Sequence, residues 1–230
     1  MYLKFATKAS ALLRSYFNFF FMPKLYFLGG ENVFKRSARE VNERAFQDAG
    51  EPLIVIVFPW ARASFDKTYK RRKRIVDYFI SLGADKIEFI EYSDPKEIIA
   101  EKISFSNLIY LTGGLVSALV ERLRKIDVDH LLQNYQGVII GRSAGALALS
   151  KRAVITCRQS QKTKLVNGLG LVDLTLKVHY TPEKDSELEL LSKKDKIYAV
   201  PSSSAIVYEN GALSFIGEAF LFENGKKRNL

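Results

Sequence analysis

From Met22 onward, short and wholly apolar runs alternate with segments whose apolar residues recur at helical spacing. Residues 25–28, 53–58, 86–90, 107–111 and 137–140 read as strands, the second being the aliphatic run LIVIVF. Between them, 37–49 carries Val41, Ala45 and Phe46 on one helical stripe, 71–82 carries Ile75, Val76, Phe79 and Ile80, and 95–103 and 117–125 follow the same period. Aliphatic strands joined by helices predict an α/β fold with a mainly parallel sheet and helices on both faces. Residues 22–230 are expected to form a single domain, and residues 1–21 an extension upstream of a natural start at Met22. In that extension Arg14 interrupts the apolar stretch and no small-residue cleavage site follows, which argues against a signal segment. A short amphipathic anchor is the alternative for it.

In such sheets the reactive groups gather at the carboxyl ends of the strands. The apolar run Val138-Ile139-Ile140 leads directly into Gly141-Arg142-Ser143-Ala144-Gly145, a G-x-S-x-G pattern that turns a strand sharply into a helix and pushes the serine hydroxyl out over the sheet. Ser143 as nucleophile would generate an oxyanion, which backbone N–H groups stabilise. Ala144 supplies one donor and Gly114 the second, with Gly113 beside it at the end of the preceding strand. Read alone, Ser143 fits equally a cap on the helix that follows, and Gly113-Gly114 a plain turn.

A serine nucleophile needs a base, and the chain holds two histidines. His130 lies in a connection ahead of the elbow strand and reads as a surface or helix-start residue. His179 ends the alternation Leu174-Thr175-Leu176-Lys177-Val178, so it stands at a strand terminus and is the expected base.

Composition narrows the classes. An apolar content of 47% with 26% charged residues is ordinary for a globular protein, and no apolar run is long enough to span a bilayer. Cys157 is the single cysteine, which excludes an internal disulfide framework and fits a reducing, cytoplasmic compartment. The net charge of +10 is concentrated in one run, KTYKRRKR at 67–74, at the start of a helix. Without a reading helix or stacking aromatics this is a solvated helix start, and no specific nucleic-acid partner is expected. No metal or cofactor is expected either, and a homodimer is the working expectation for assembly.

The segments KLYFLGG, IYLTGG, GRSAGALAL, GLGLVDLTLKVHY and IYAVPSSSAIVYENGALSFIG, in this order, resemble the peptidase E and cyanophycinase-like serine peptidases, whose fold is related to class I glutamine amidotransferase domains. The resemblance implies an acyl-enzyme on Ser143, with His179 as base, Gly114 and Ala144 as oxyanion donors, and a small peptide as substrate. It also implies an acid on or just after the strand following the elbow helix, where this chain has none. Gln159 occupies about that position and is the expected orienter of the imidazole; Glu183 and Asp185 are the alternatives, from the other side. Asp173, six residues before the base on one strand, is about 20 Å away at about 3.3 Å per residue. Such peptidases that favour aspartyl residues use an arginine after the base, and 180–221 contains none. Gly113, Arg142, Arg158 and Tyr180 are the expected substrate contacts, with Lys184 as a weaker charge. Two other readings stay open: a catalytically impaired relative acting as a binding or regulatory protein, and an esterase-type acyl hydrolase.

Overall fold

The computed structural model describes residues 22–62, 72–156 and 163–230. Its first half follows the predicted alternation: β1 (Lys24–Leu28), α1 (Arg39–Ala49), β2 (Ile54–Phe58), α2 (Arg72–Ile80), β3 (Lys86–Phe89), α3 (Lys96–Ser104), β4 (Leu108–Leu111), α4 (Val116–Lys125), α5 (Val128–Gln133), β5 (Val138–Arg142) and α6 (Ala144–Leu149). The second half is richer in strands: β6 (Ser150–Thr156), β7 (Thr163–Asn167), β8 (Val172–Val178), α7 (Asp185–Ser192), β9 (Ile197–Val200), β10 (Ala205–Glu209), β11 (Ala212–Ile216), β12 (Phe220–Glu223) and β13 (Lys226–Asn229).

Two sheets form. The larger has the order β11-β10-β1-β5-β4-β2-β3, in which β1, β5, β4, β2 and β3 run parallel and β10 and β11 close one edge antiparallel. β5 is its centre: Ile139 lies opposite both Leu25 of β1 and Ile109 of β4, and all five of its residues are buried. The smaller sheet, β13-β12-β9-β8-β6-β7, is mixed, with β8 parallel to both β6 and β9. The α/β class is as expected, but the C-terminal strands do not simply extend the first sheet. The cause is the brevity of α6, which holds six residues, all buried, before the chain leaves directly into β6. So short a helix is not a crossover back to the same sheet; it hands the chain to a second one.

The layers follow from side-chain period. Val41, Ala45 and Phe46 of α1 and Ile75, Tyr78 and Phe79 of α2 cover one face of the large sheet, meeting Tyr26, Leu28, Val55, Val57, Val138 and Ile140. On the opposite face Leu119, Val120 and Leu123 of α4, with Val128 and Leu132 of α5, pack with α6 and with Leu174, Leu176 and Val178 of the second sheet. α4 places Arg122, Arg124 and Lys125 in its last turn, where cations favour the helix carboxyl end. The outer face of the second sheet is covered by Leu188 of α7, beside Tyr180 and Phe222. Among the described residues no helix is long and apolar enough to cross a membrane.

Local corrections are small. The helix expected from residue 37 starts at Arg39, because Asn32 accepts the N–H groups of Phe34 and Lys35 at 3.1 and 3.2 Å and holds 32–35 in a turn. His130 is exposed in the first turn of the short helix α5, in line with its reading as a surface or helix-start residue.

Candidate active site

β5 runs on through Arg142, and Ser143 then takes φ 53° and ψ −108°, a left-handed backbone conformation rare for a residue with a side chain. The turn is held at both ends: the Ser143 N–H donates to Leu28 O at 2.9 Å, and the Leu147 N–H reaches Ser143 O at 3.0 Å. Ser143 thus holds the N-cap position of α6 through its backbone, with no capping bond from its side chain, and the Ala144 N–H is among the first donors of that helix, which lack an intrahelical acceptor.

Ser143 Oγ lies 2.8 Å from His179 Nε2. His179 arrives from β8 in the other sheet, turned into the left-handed region (φ 51°) at the strand end, with its N–H bonded to Gly29 O at 3.0 Å. Glycine at residue 30 is required here. A Cβ at that position would fall on Cε1 and Nδ1 of the imidazole and stand 2.9 Å from Ser202 Oγ. The glycine turn that ends β1 is therefore the floor on which the His179 ring rests.

Sequence reasoning missed Ser202. It belongs to the Pro201-Ser202-Ser203 loop after β9, and its Oγ is 3.0 Å from His179 Nδ1. The loop is fixed against the same glycine turn, since the Ser203 N–H donates to Gly30 O at 2.8 Å. In the sequence Ser202 is one of three consecutive serines, and only the spatial meeting of the two loops singles it out.

At the end of β4, a Cβ on Gly113 would be 3.3 Å from Ser143 Cβ, so the Gly113-Gly114 turn flanks the nucleophile. Gly114 packs on the carbonyl of Ala61, which also accepts the Leu115 N–H at 2.5 Å, and no side chain would fit between them. The remaining expected contacts divide. Arg158 and Gln159 lie outside the described residues, as does Cys157. Arg142, expected as a substrate contact, is buried. Only 3% exposed, its guanidinium lies 5.9 Å from the Tyr110 ring centroid on the α1/α2 side of the sheet. A buried guanidinium costs several kcal/mol unless compensated, and its charge acts on Glu31, the residue after Gly30. Burial pushes the Glu31 carboxyl up, against the pull of Arg142 and of hydrogen bonds from Tyr110, Tyr78 and Asn42. Burial likewise pushes the Tyr78 hydroxyl up to about 12. This buried polar group ties the end of β1 to the end of β5 beneath the nucleophile.

Tyr180 is also corrected from substrate contact to support. Its ring is buried against Phe220 and Phe222, and its hydroxyl donates to Asp185 Oδ1 at 2.5 Å and accepts from Lys227 Nζ at 2.6 Å. That occupies Asp185, whose second oxygen takes Lys227 at 3.0 Å. Burial alone would raise the Asp185 carboxyl, but these two hydrogen bonds hold it below its ordinary range. Glu183 is exposed and bonded locally to Thr181, Lys184 pairs with Glu187 at 3.0 Å, and Asp173 pairs with Lys151 at 2.8 Å. Of the described cations in the basic run, Arg72 grips Glu91 through two nitrogens, Lys73 pairs with Asp77, and Arg74 stacks on Phe34 at 3.6 Å.

The model of peptidase family S51 matches residues 34–217, most of the chain and all of the elbow. The chain belongs to peptidase family S51. Membership places it among serine-type peptidases and accounts for the order of motifs seen in the sequence. An uncharacterized peptidase of Listeria monocytogenes is 29% identical over 121 residues, which cover 47% of this chain and 59% of that relative's length. Among solved structures, a peptidase from an acI-B1 actinobacterium superposes with a TM-score of 0.68 at 18% identity, covering 94% of this chain and 96% of the other. A Listeria monocytogenes EGD-e protein named as a putative peptidase E gives 0.64 at 23% identity, covering 85% and 98%. At these identities the two structures establish the fold.

Proposed function

We propose that this S51 family member hydrolyses small peptides through an acyl-enzyme on Ser143. The observation that carries the reading is the 2.8 Å contact between Ser143 Oγ and His179 Nε2, made by residues 36 positions apart that come from two different sheets. Ser143 Oγ attacks the peptide carbonyl carbon while its proton passes to Nε2. The oxyanion that forms is stabilised by the N–H groups of Ala144 and Gly114. His179 then gives the proton to the departing amine as the C–N bond breaks. Water, deprotonated by the same nitrogen, attacks the ester carbon and releases the acid with Ser143 restored. The single cysteine supports a reducing compartment as the place of action.

The test is labelling of the purified protein with a fluorophosphonate, followed by a dipeptide library for which hydrolysis is read directly. Labelling of the wild type that is lost in Ser143→Ala and His179→Ala, with dipeptide hydrolysis lost in the same variants, is the expected result. Ester hydrolysis without dipeptide hydrolysis would transfer the reading to an acyl hydrolase. Absence of labelling would leave the fold with a binding role, a reading favoured by the neutral hydroxyl found at His179 Nδ1.

A further inference from the structure

We infer that Ser202 is a positioning residue of the base, and that its neutral hydroxyl, able to donate or accept, leaves both imidazole tautomers open where a carboxylate would fix one. The inference rests on the proposed role of His179 and names the group that governs it.

The geometry is specific on three sides. Ser202 Oγ meets Nδ1 at 3.0 Å while Nε2 meets the nucleophile at 2.8 Å, so the ring is spanned by two serine hydroxyls. The imidazole and Ser202 Oγ share the space left by the missing side chain of Gly30. The backbone of the Ser202 loop is tied to that glycine through Ser203 N–H and Gly30 O, and the backbone of His179 is tied to Gly29 O. A loop that merely passed by would not be locked to the same two residues that seat the ring.

Chemistry gives the consequence. A carboxylate accepts only, so it forces the proton onto Nδ1 and leaves Nε2 as the base. A hydroxyl donates or accepts. When Nδ1–H donates to Ser202 Oγ, Nε2 presents its lone pair to Ser143 and the site is competent. When Ser202 O–H donates to Nδ1, the ring proton sits on Nε2, donates to Ser143 Oγ, and cannot accept the proton of the attacking serine. Ser202 therefore orients the ring but divides it between a competent and an idle tautomer, and it supplies no negative charge to the imidazolium formed during attack.

The experiment uses the full chain with isotopically labelled histidine, which gives two imidazoles; His130, exposed on α5, serves as the internal reference. Nitrogen chemical shifts report the tautomer, and titration reports the midpoint, in wild type, Ser202→Ala and Ser202→Asp. Ser202→Asp should drive His179 to the Nδ1–H form, raise its titration midpoint by about one unit or more, raise kcat about tenfold or more with KM little changed, and move the acidic limb of the rate profile upward. Ser202→Ala should alter the tautomer ratio of His179 and lower kcat about tenfold. His130 should not change in either. A His179 tautomer ratio and titration that are the same in all three proteins would overturn the inference. Because the titration needs no turnover, a His179 that responds in a protein whose Ser143 fails to label would sink the peptidase reading and leave the coupling standing.

Discussion

Gly30 and His179 exclude each other: the space that a Cβ on residue 30 would fill is taken by the imidazole of the base. Gly30→Ala is expected to displace the ring from Ser143 Oγ and to lower kcat about a hundredfold, since small misplacements of a catalytic group carry costs of that order. The change lies at the end of β1, so the thermal midpoint should move little. Parallel measurement of turnover and melting decides it, and full activity in the variant would contradict the described floor of the site.

Gly114 offers a second steric test with a different signature. A methyl group there meets the carbonyl of Ala61, which is backbone and cannot swing away. Gly114→Ala should shift the turn and withdraw one oxyanion donor, lowering kcat by about 10²–10³. Ser143 should still label with a fluorophosphonate, more slowly. A variant that turns over at the wild-type rate removes Gly114 from the oxyanion site.

Lys177 makes a stability prediction with a defined pH dependence. It is 7% exposed on β8, its ammonium bonded to Thr156 Oγ1 at 3.0 Å. Burial, reinforced by Lys184 and opposed by Glu187, holds it below its ordinary value of 10.5. The folded state thus binds its proton less readily than the unfolded state, and the charged form costs stability at neutral pH. Lys177→Met should stabilise the fold by about 1 kcal/mol at pH 7. The gain should be constant below the lowered value and shrink as pH rises from there towards 10.5. Urea melts at a series of pH values measure it; a destabilised variant would contradict the account.

Lys227 joins the last strand to the corner beside the base. Removing its ammonium in Lys227→Met deprives Asp185 and Tyr180 of a shared donor and should cost about 1 kcal/mol, below the range of about 1.5–3 kcal/mol for hydrogen bonds to charged groups because solvent screens this partly exposed pair. Asp185 sits below its ordinary value of 3.8, so its contribution is present above that value and fades as pH falls through the lowered one. The wild type and the variant should converge in stability on acidification. A constant difference down to the lowest pH would mean that Lys227 acts through its stem on Phe220 rather than through its charge.

The parts of this site that were legible in the sequence are those encoded locally. A run of apolar residues closed by GRSAG specifies strand, turn and exposed serine within a few positions, and with two histidines in the chain the base had few candidates. Arg142 was legible too, had its strand period been followed. It shares the face of Val138 and Ile140, which points to α1 and α2 and away from the helix that Ser143 caps. Ser202 carried no local signal, because its role exists only where the loop after β9 meets the glycine turn after β1. The second sheet was hidden for a related reason. β7 alternates weakly, with exposed and half-buried residues, and β9, β12 and β13 have four residues each, too few to show a period.

Ser143 belongs to one sheet and His179, with the serine behind it, to the other, and the chain passes between the sheets through the six buried residues of α6 and again in the connections after β9 and after β11. Turnover is therefore a gauge of how the two sheets are docked, more sensitive than any measure of their helical and strand content. In rising denaturant, activity should disappear while circular dichroism still reports both sheets intact, because a slip along their seam parts the two halves of the site before either unravels.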